Sequence, residues 1–149
     1  MNGLLSALLL LLAQDAGAGP DRAARLTPPG PFHGSWRMTA DGDRDDHGLM
    51  HLSIQMSAGE QNGTADYAAH QPFCSFLDGG PVTGMGECEI GGGLFDGVER
   101  KGRVLTLRFA PTADGLPHRI ILRRQGDRLT GHYRTDDLDR RVILERSPE

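Results

Sequence analysis

The sequence predicts an all-β fold: an eight- or nine-stranded antiparallel up-and-down meander closing into a soluble barrel. Three observations predict it. From Phe32 onward, apolar residues alternate with polar ones and do not recur at helical spacing. Turn residues interrupt that alternation roughly every 8 to 12 positions, the rhythm of a sandwich or barrel. The chain holds 21 glycines and only 5% aromatics, a balance that suits turns and strands.

The elements follow in order. Residues 33–40 read as the first strand, with Trp36 and Met38 facing one way, and Asp41-Gly42-Asp43 turns the chain. Met50, Leu52, Ile54 and Met56 then alternate with His51, Ser53, Gln55 and Ser57, which puts the first set in the core. Glu60-Gln61-Asn62-Gly63 follows, and Asn-Gly is the strongest short hairpin signal. Residues 64–70 return as a third strand carrying Tyr67. Residues 71–93 are broken by Gln71-Pro72, Asp78-Gly79-Gly80-Pro81 and Gly91-Gly92-Gly93, with a short strand over 87–90. Residues 94–100 and 103–110 form a hairpin over Lys101-Gly102, with Leu105, Leu107 and Phe109 inward. Residues 119–124 and 128–134 form another over Gln125-Gly126-Asp127, and 141–146 closes the domain. Successive hairpins favour a meander, and closing it removes exposed sheet edges.

The chain is organised as an N-terminal signal peptide (1–18), a Pro/Gly-rich linker (19–31) and the barrel domain (32–146). Residues 4–13 are apolar apart from Ser6, which is h-region length and well short of the roughly 20 residues of a membrane span. Ala16-Gly17-Ala18 offers small residues for cleavage, although no Lys or Arg precedes the run. A periplasmic or secreted location follows. In such a compartment Cys74 and Cys88 are expected to pair, closing a loop of about 15 residues worth roughly 3 kcal/mol.

Charge excludes some partners. A net charge of −4 gives no pull toward nucleic acid or anionic lipid. A membrane barrel would need aromatic girdles and an apolar outer face, but Arg108, Arg123, His51 and Gln55 occupy the outward positions.

Gly34-Ser35-Trp36 opening the first strand, the meander, and an Arg near the end of the last strand together resemble the lipocalin or wider calycin pattern. The resemblance implies that Gly34 and Trp36 are structural, at the closed end of the barrel. Arg146 or Arg140 would then cover the Trp ring through a cation–π contact. The family's Thr-Asp-Tyr motif is absent.

Chemistry-bearing motifs are weak. Asp41, Asp43, Asp45, Asp46 and His47 form an acidic loop. With Asp43 as first calcium ligand, however, Ile54 falls where the bidentate Glu is needed, so a solvated loop is the better reading. His47 and His51 would lie about 13 Å apart on a strand, too far to chelate one ion. His33, His70, His118 and His132 sit in separate segments, and there is no nucleophile elbow or phosphate-cradling glycine loop. Nothing calls for a cofactor, a metal or a catalytic residue, and an enzyme has the lowest standing. The favoured function is an exported lipocalin-like protein that binds a small apolar ligand in the barrel. The residues expected to line that site are Trp36, Met38, Leu52, Ile54, Tyr67, Leu107, Phe109 and Tyr133, with the two tyrosines as polar handles. The alternative is a protein-interaction module, an inhibitor or envelope accessory factor acting through its loops.

Overall fold

A computed structural model describes residues 28–83 and 88–148. The expected signal peptide and most of the linker lie outside the described residues. The elements run β1 (Gly34–Ala40), β2 (Met50–Gln55), β3 (Thr64–Ala69), α1 (Pro72–Leu77), β4 (Gly92–Leu94), β5 (Gly97–Lys101), β6 (Val104–Phe109), β7 (His118–Gln125), β8 (Arg128–Arg134) and β9 (Asp139–Arg146). The strands form one antiparallel sheet in the order β4-β3-β2-β1-β9-β8-β7-β6-β5. Apart from the β1–β9 pair and the edges, each strand lies beside its neighbours in sequence, the arrangement expected of a meander.

The sheet curls until its edges meet. β4 and β5 are separated only by Phe95 and Asp96. β4 pairs with β3 at Asp66↔Leu94, and the chain then continues beside the segment that precedes β3. There Phe95 N–H donates to Ala65 O at 2.9 Å, Gly63 N–H to Val98 O at 3.1 Å and Arg100 N–H to Gln61 O at 2.6 Å. Asp66 opposes Leu94 and Asn62 opposes Glu99, so one strand carries an extra residue, the definition of a β-bulge. β4 and β5 are thus one bulged strand that seals the barrel.

Period-2 alternation turns one apolar set inward on every long strand. Trp36, Met38, Met50, Leu52, Leu105, Leu107, Ile120, Leu122, Leu129, Tyr133 and Leu144 are all fully buried. Arg108 and Arg123, on the opposite parity, are exposed. At one end Phe32 and Trp36 close the interior, and Trp36 Nε1–H donates to Phe32 O at 2.9 Å. The Arg146 guanidinium lies 4.4 Å from the Trp36 ring centroid and donates to His33 O, as the Gly-x-Trp resemblance implies. Gly34 takes φ +129, and a Cβ there would strike that guanidinium, so glycine is needed beside the covered ring. Arg140, the other candidate for covering the Trp, instead lies 4.6 Å over Phe76. Residues 28–30 run beside the chain that follows β2, with Gly30 N–H bonded to Met56 O at 2.8 Å.

The opposite end is plugged by α1, where no helix was expected. Pro72 occupies its first turn, where a missing N–H costs nothing, so Gln71-Pro72 starts a helix here. Phe73 and Phe76 are buried and meet Tyr133 edge-on at 5.5 and 5.4 Å. Arg140 ties the helix down by donating to Phe76 O and Gly80 O.

Two local expectations are corrected. The β2–β3 turn lies at Ala58-Gly59, with Gly59 at φ +82 and Glu60 N–H bonded to Ser57 O. Asn62-Gly63 is extended chain at the barrel seam, where a Cβ on Gly63 would sit 2.6 Å from Gln55 O. The short strand expected over 87–90 is not formed at 88–90, and pairing begins at Gly92. Glu87 lies outside the described residues.

Cys74 and Cys88 form the expected disulfide, with Cα atoms 5.6 Å apart. It staples α1 to the chain that leads into β4. The Cys74→Ser/Cys88→Ser double variant is expected to lose about 2 to 3 kcal/mol, read from urea unfolding. An unchanged midpoint would mean that Phe73, Phe76 and Arg140 hold α1 without help from the disulfide.

Candidate functional site

The α1 end of the barrel carries a cleft of about 470 Å³. Three segments wall it: Cys74, Leu77, Asp78 and Gly79 of α1 and its C-terminus, with Cys88; residues 112–118 of the β6–β7 connection; and residues 135–138 of the β8–β9 connection. Leu77 and Leu138 are half-buried against the core, whereas Leu116 is 53% exposed. A large apolar side chain held out at the rim of a cleft is available to contact a partner.

The loops are built by short polar caps. The Asp114 carboxylate accepts from Thr112 Oγ1 at 2.6 Å and from Leu116 N–H at 3.0 Å. The Thr112 hydroxyl, followed by that amide, holds the Asp114 carboxyl below its ordinary value. Thr135 Oγ1 accepts from Asp137 N–H, and Thr135 N–H donates to Leu138 O at 2.9 Å. Each loop is therefore shaped by its own side chains and leaves its remaining carboxylates to solvent and the cleft.

His118 forms part of the cleft wall and is only 5% exposed. Its Nδ1 shares a hydrogen bond of 2.5 Å with the buried Tyr133 hydroxyl. Burial pushes the Tyr133 hydroxyl far up. Burial also pushes the His118 imidazole down, and the Asp114 charge opposes that shift in part. Because the folded value lies below the unfolded 6.5, the unfolded chain takes up this proton first. Stability should therefore fall as pH drops below about 6.5 and level off beneath the folded value. Urea midpoints between pH 7.5 and 5 should show this slope, and His118→Gln should flatten it. An equal slope in that variant would assign the loss to other groups. Asp114 and Asp139, whose values are lowered, give up their contributions only below about 3.8.

The eight residues expected from sequence to line a ligand site all belong to the barrel interior. Trp36, Met38, Leu52, Ile54, Leu107, Phe109 and Tyr133 are buried, and Tyr67 is half-buried. Tyr67, Phe109 and Tyr133 gather beneath the α1 end: Phe109 meets Tyr67 at 4.9 Å and Tyr133 at 6.0 Å. Trp36 sits at the far end with Phe32. None of the eight walls the cleft; Tyr133 and Phe109 reach it through His118. The sequence leaves His118 unplaced among the separate histidines, because the predicted strand begins at Arg119. The signal was present, since His118 shares the parity of Ile120 and Leu122.

The other histidines do not join it. His132 pairs outward with Asp139 at 2.7 Å, and His70 is exposed at the end of β3. Among the described residues, one group has ligand atoms close enough to share an ion: Asp43, Asp45 and His47, within 4.8 Å. The Asp43 carboxylate accepts from the His47 and Asp45 amides, which accounts for it as a loop cap. Burial raises its pKa, and these amide bonds, with the His47 ring, more than offset that and leave it lowered.

No family model matches the chain, and no curated protein matches it. Among solved structures, a crystal structure of a variant of the fluorescent protein UnaG matches with a TM-score of 0.43 and 16% identity, covering 79% of this chain and 97% of that one. A likeness at this level says nothing about ligand or activity.

Proposed function

We propose that the protein is an exported binding protein that takes the apolar body of a small ligand at the α1 mouth of its barrel. The carrying observation is the 470 Å³ cleft over the buried His118–Tyr133 pair, a volume in the range of small-molecule sites. The ligand would lie against Leu77, Leu116 and Leu138, with the Tyr67, Phe109 and Tyr133 cluster beneath it. The apolar run at 4–13 and the Cys74–Cys88 disulfide support export to an oxidising periplasmic or extracellular space. Among the described residues no helix is long and apolar enough to cross a membrane.

Titration with an environment-sensitive apolar dye tests this reading. Saturable one-to-one binding is expected, weakened about tenfold by Leu116→Asp, since one lost apolar contact costs roughly 1 to 3 kcal/mol. No saturable binding, or binding indifferent to Leu116→Asp, would overturn it. The exposure of Leu116 also favours a second reading, in which the same rim contacts a protein partner. A specific partner retained from envelope extract, and lost on Leu116→Asp, would then replace dye binding as the positive result.

A further inference from the structure

We propose that the ligand of the α1 cleft is an organic cation, an ammonium or amidinium group carried on an apolar body. This rests on the proposed binding function and narrows it. The cleft is walled by Asp78, Asp114, Asp136 and Asp137, and among the described residues no Lys or Arg lines it. The arginines that bracket the β8–β9 connection are engaged elsewhere. Arg134 pairs with Asp139 at 3.1 Å, and Arg140 is held over Phe76 and by the Phe76 and Gly80 carbonyls. A concave surface lined by one sign of charge, with protein on three sides, focuses its potential on whatever enters.

The acidic residues do not stand alone. His118 is 95% enclosed, its Nδ1 is taken by Tyr133, and among the described residues nothing hydrogen-bonds its Nε2. One ring nitrogen of a buried side chain in the cleft wall is thus left for a ligand. In the tautomer in which Nδ1–H donates to the Tyr133 hydroxyl, Nε2 is an acceptor suited to an N–H donor. Leu77, Leu116 and Leu138 supply apolar surface beside the carboxylates.

A metal ion fits less well. No three of these carboxylates and His118 bring ligand atoms within 4.8 Å of one another, as they would have to around a single ion. Charge spread over three segments suits a cation spread over several atoms, attached to a body that fills the rest of the space.

The test uses three probes with one apolar body: 4-phenylbutylammonium, 4-phenylbutanol and 4-phenylbutyrate. Each is titrated calorimetrically into the folded, disulfide-bonded protein at low salt and at high salt. The ammonium is expected to bind about tenfold tighter than the alcohol and the carboxylate weakest, with the spread collapsing at high salt as screening shortens to a few ångströms. Asp136→Asn/Asp137→Asn should remove most of the ammonium's advantage over the alcohol. If alcohol and ammonium bind equally, or the carboxylate binds best, the cation assignment is wrong and the apolar cleft stands. If none of the three binds, the cation assignment and the cleft itself both fail.

Discussion

Gly131→Ala is expected to cost about 4 kcal/mol or more, or to prevent folding altogether. Gly131 lies on the inner parity of β8 between Leu129 and Tyr133, opposite Leu122 of β7. A Cβ built there would fall inside the van der Waals radius of the Ile121 carbonyl oxygen. It would also come within 2.8 Å of Ile121 C and 3.0 Å of Leu122 Cα. All of these are backbone atoms of the paired strand, so no side chain can swing aside to make room. The two strands must separate, and their ladder runs from Arg119↔Arg134 to Gln125↔Arg128. Gly91→Ala is the control, because its Cβ would meet nothing within 4 Å. That change should shift stability by less than about 1 kcal/mol. Urea midpoints for the two variants decide the matter. Equal stability would mean that β7 and β8 lie further apart than described.

Trp36→Ala should cost about 3 to 5 kcal/mol, the range for deleting a fully buried large aromatic. Three interactions disappear together: the packing that closes the barrel beside Phe32, the Nε1–H bond to Phe32 O, and the face on which Arg146 rests. The Arg146 part can be separated by a double-mutant cycle. Arg146→Met should cost about 0.5 to 2 kcal/mol in the native background and markedly less once Trp36 is alanine. Additive effects would show that Arg146 acts only through its bond to His33 O.

The strands were legible because each long one buries one face. Met50, Leu52 and Ile54 alternate without interruption, and no competing signal masks the period. The Trp36–Arg146 contact was legible only through the resemblance to the calycin pattern, which left Arg140 as an equal candidate for covering the ring. The disulfide followed from the even cysteine number and the expected oxidising compartment.

The missed features were set by long-range contacts. α1 spans Pro72–Leu77, too short to show a helical period, and is stabilised by burying Phe73 and Phe76 on Tyr133. Asn62-Gly63 carries a strong local turn preference, but Gly63 is needed where β2 and the sealing strand pass close by. The cleft was the least legible part. Its aspartates and leucines come from the C-terminal end of α1 and two connections between strands, and only the closed barrel brings them together.

The pairing of β1 with β9 joins the earliest described strand to the last. Trp36 opposes Arg146 across 109 residues of intervening chain, so the barrel's long-range contacts cannot be completed until β9 has been synthesised. Such topologies fold slowly, on the millisecond-to-second scale. Closure therefore follows synthesis, and until then the chain remains an open ribbon. Cys74 and Cys88 are separated by only 14 positions, so their pairing does not wait for that closure and can restrain the ribbon before the barrel forms.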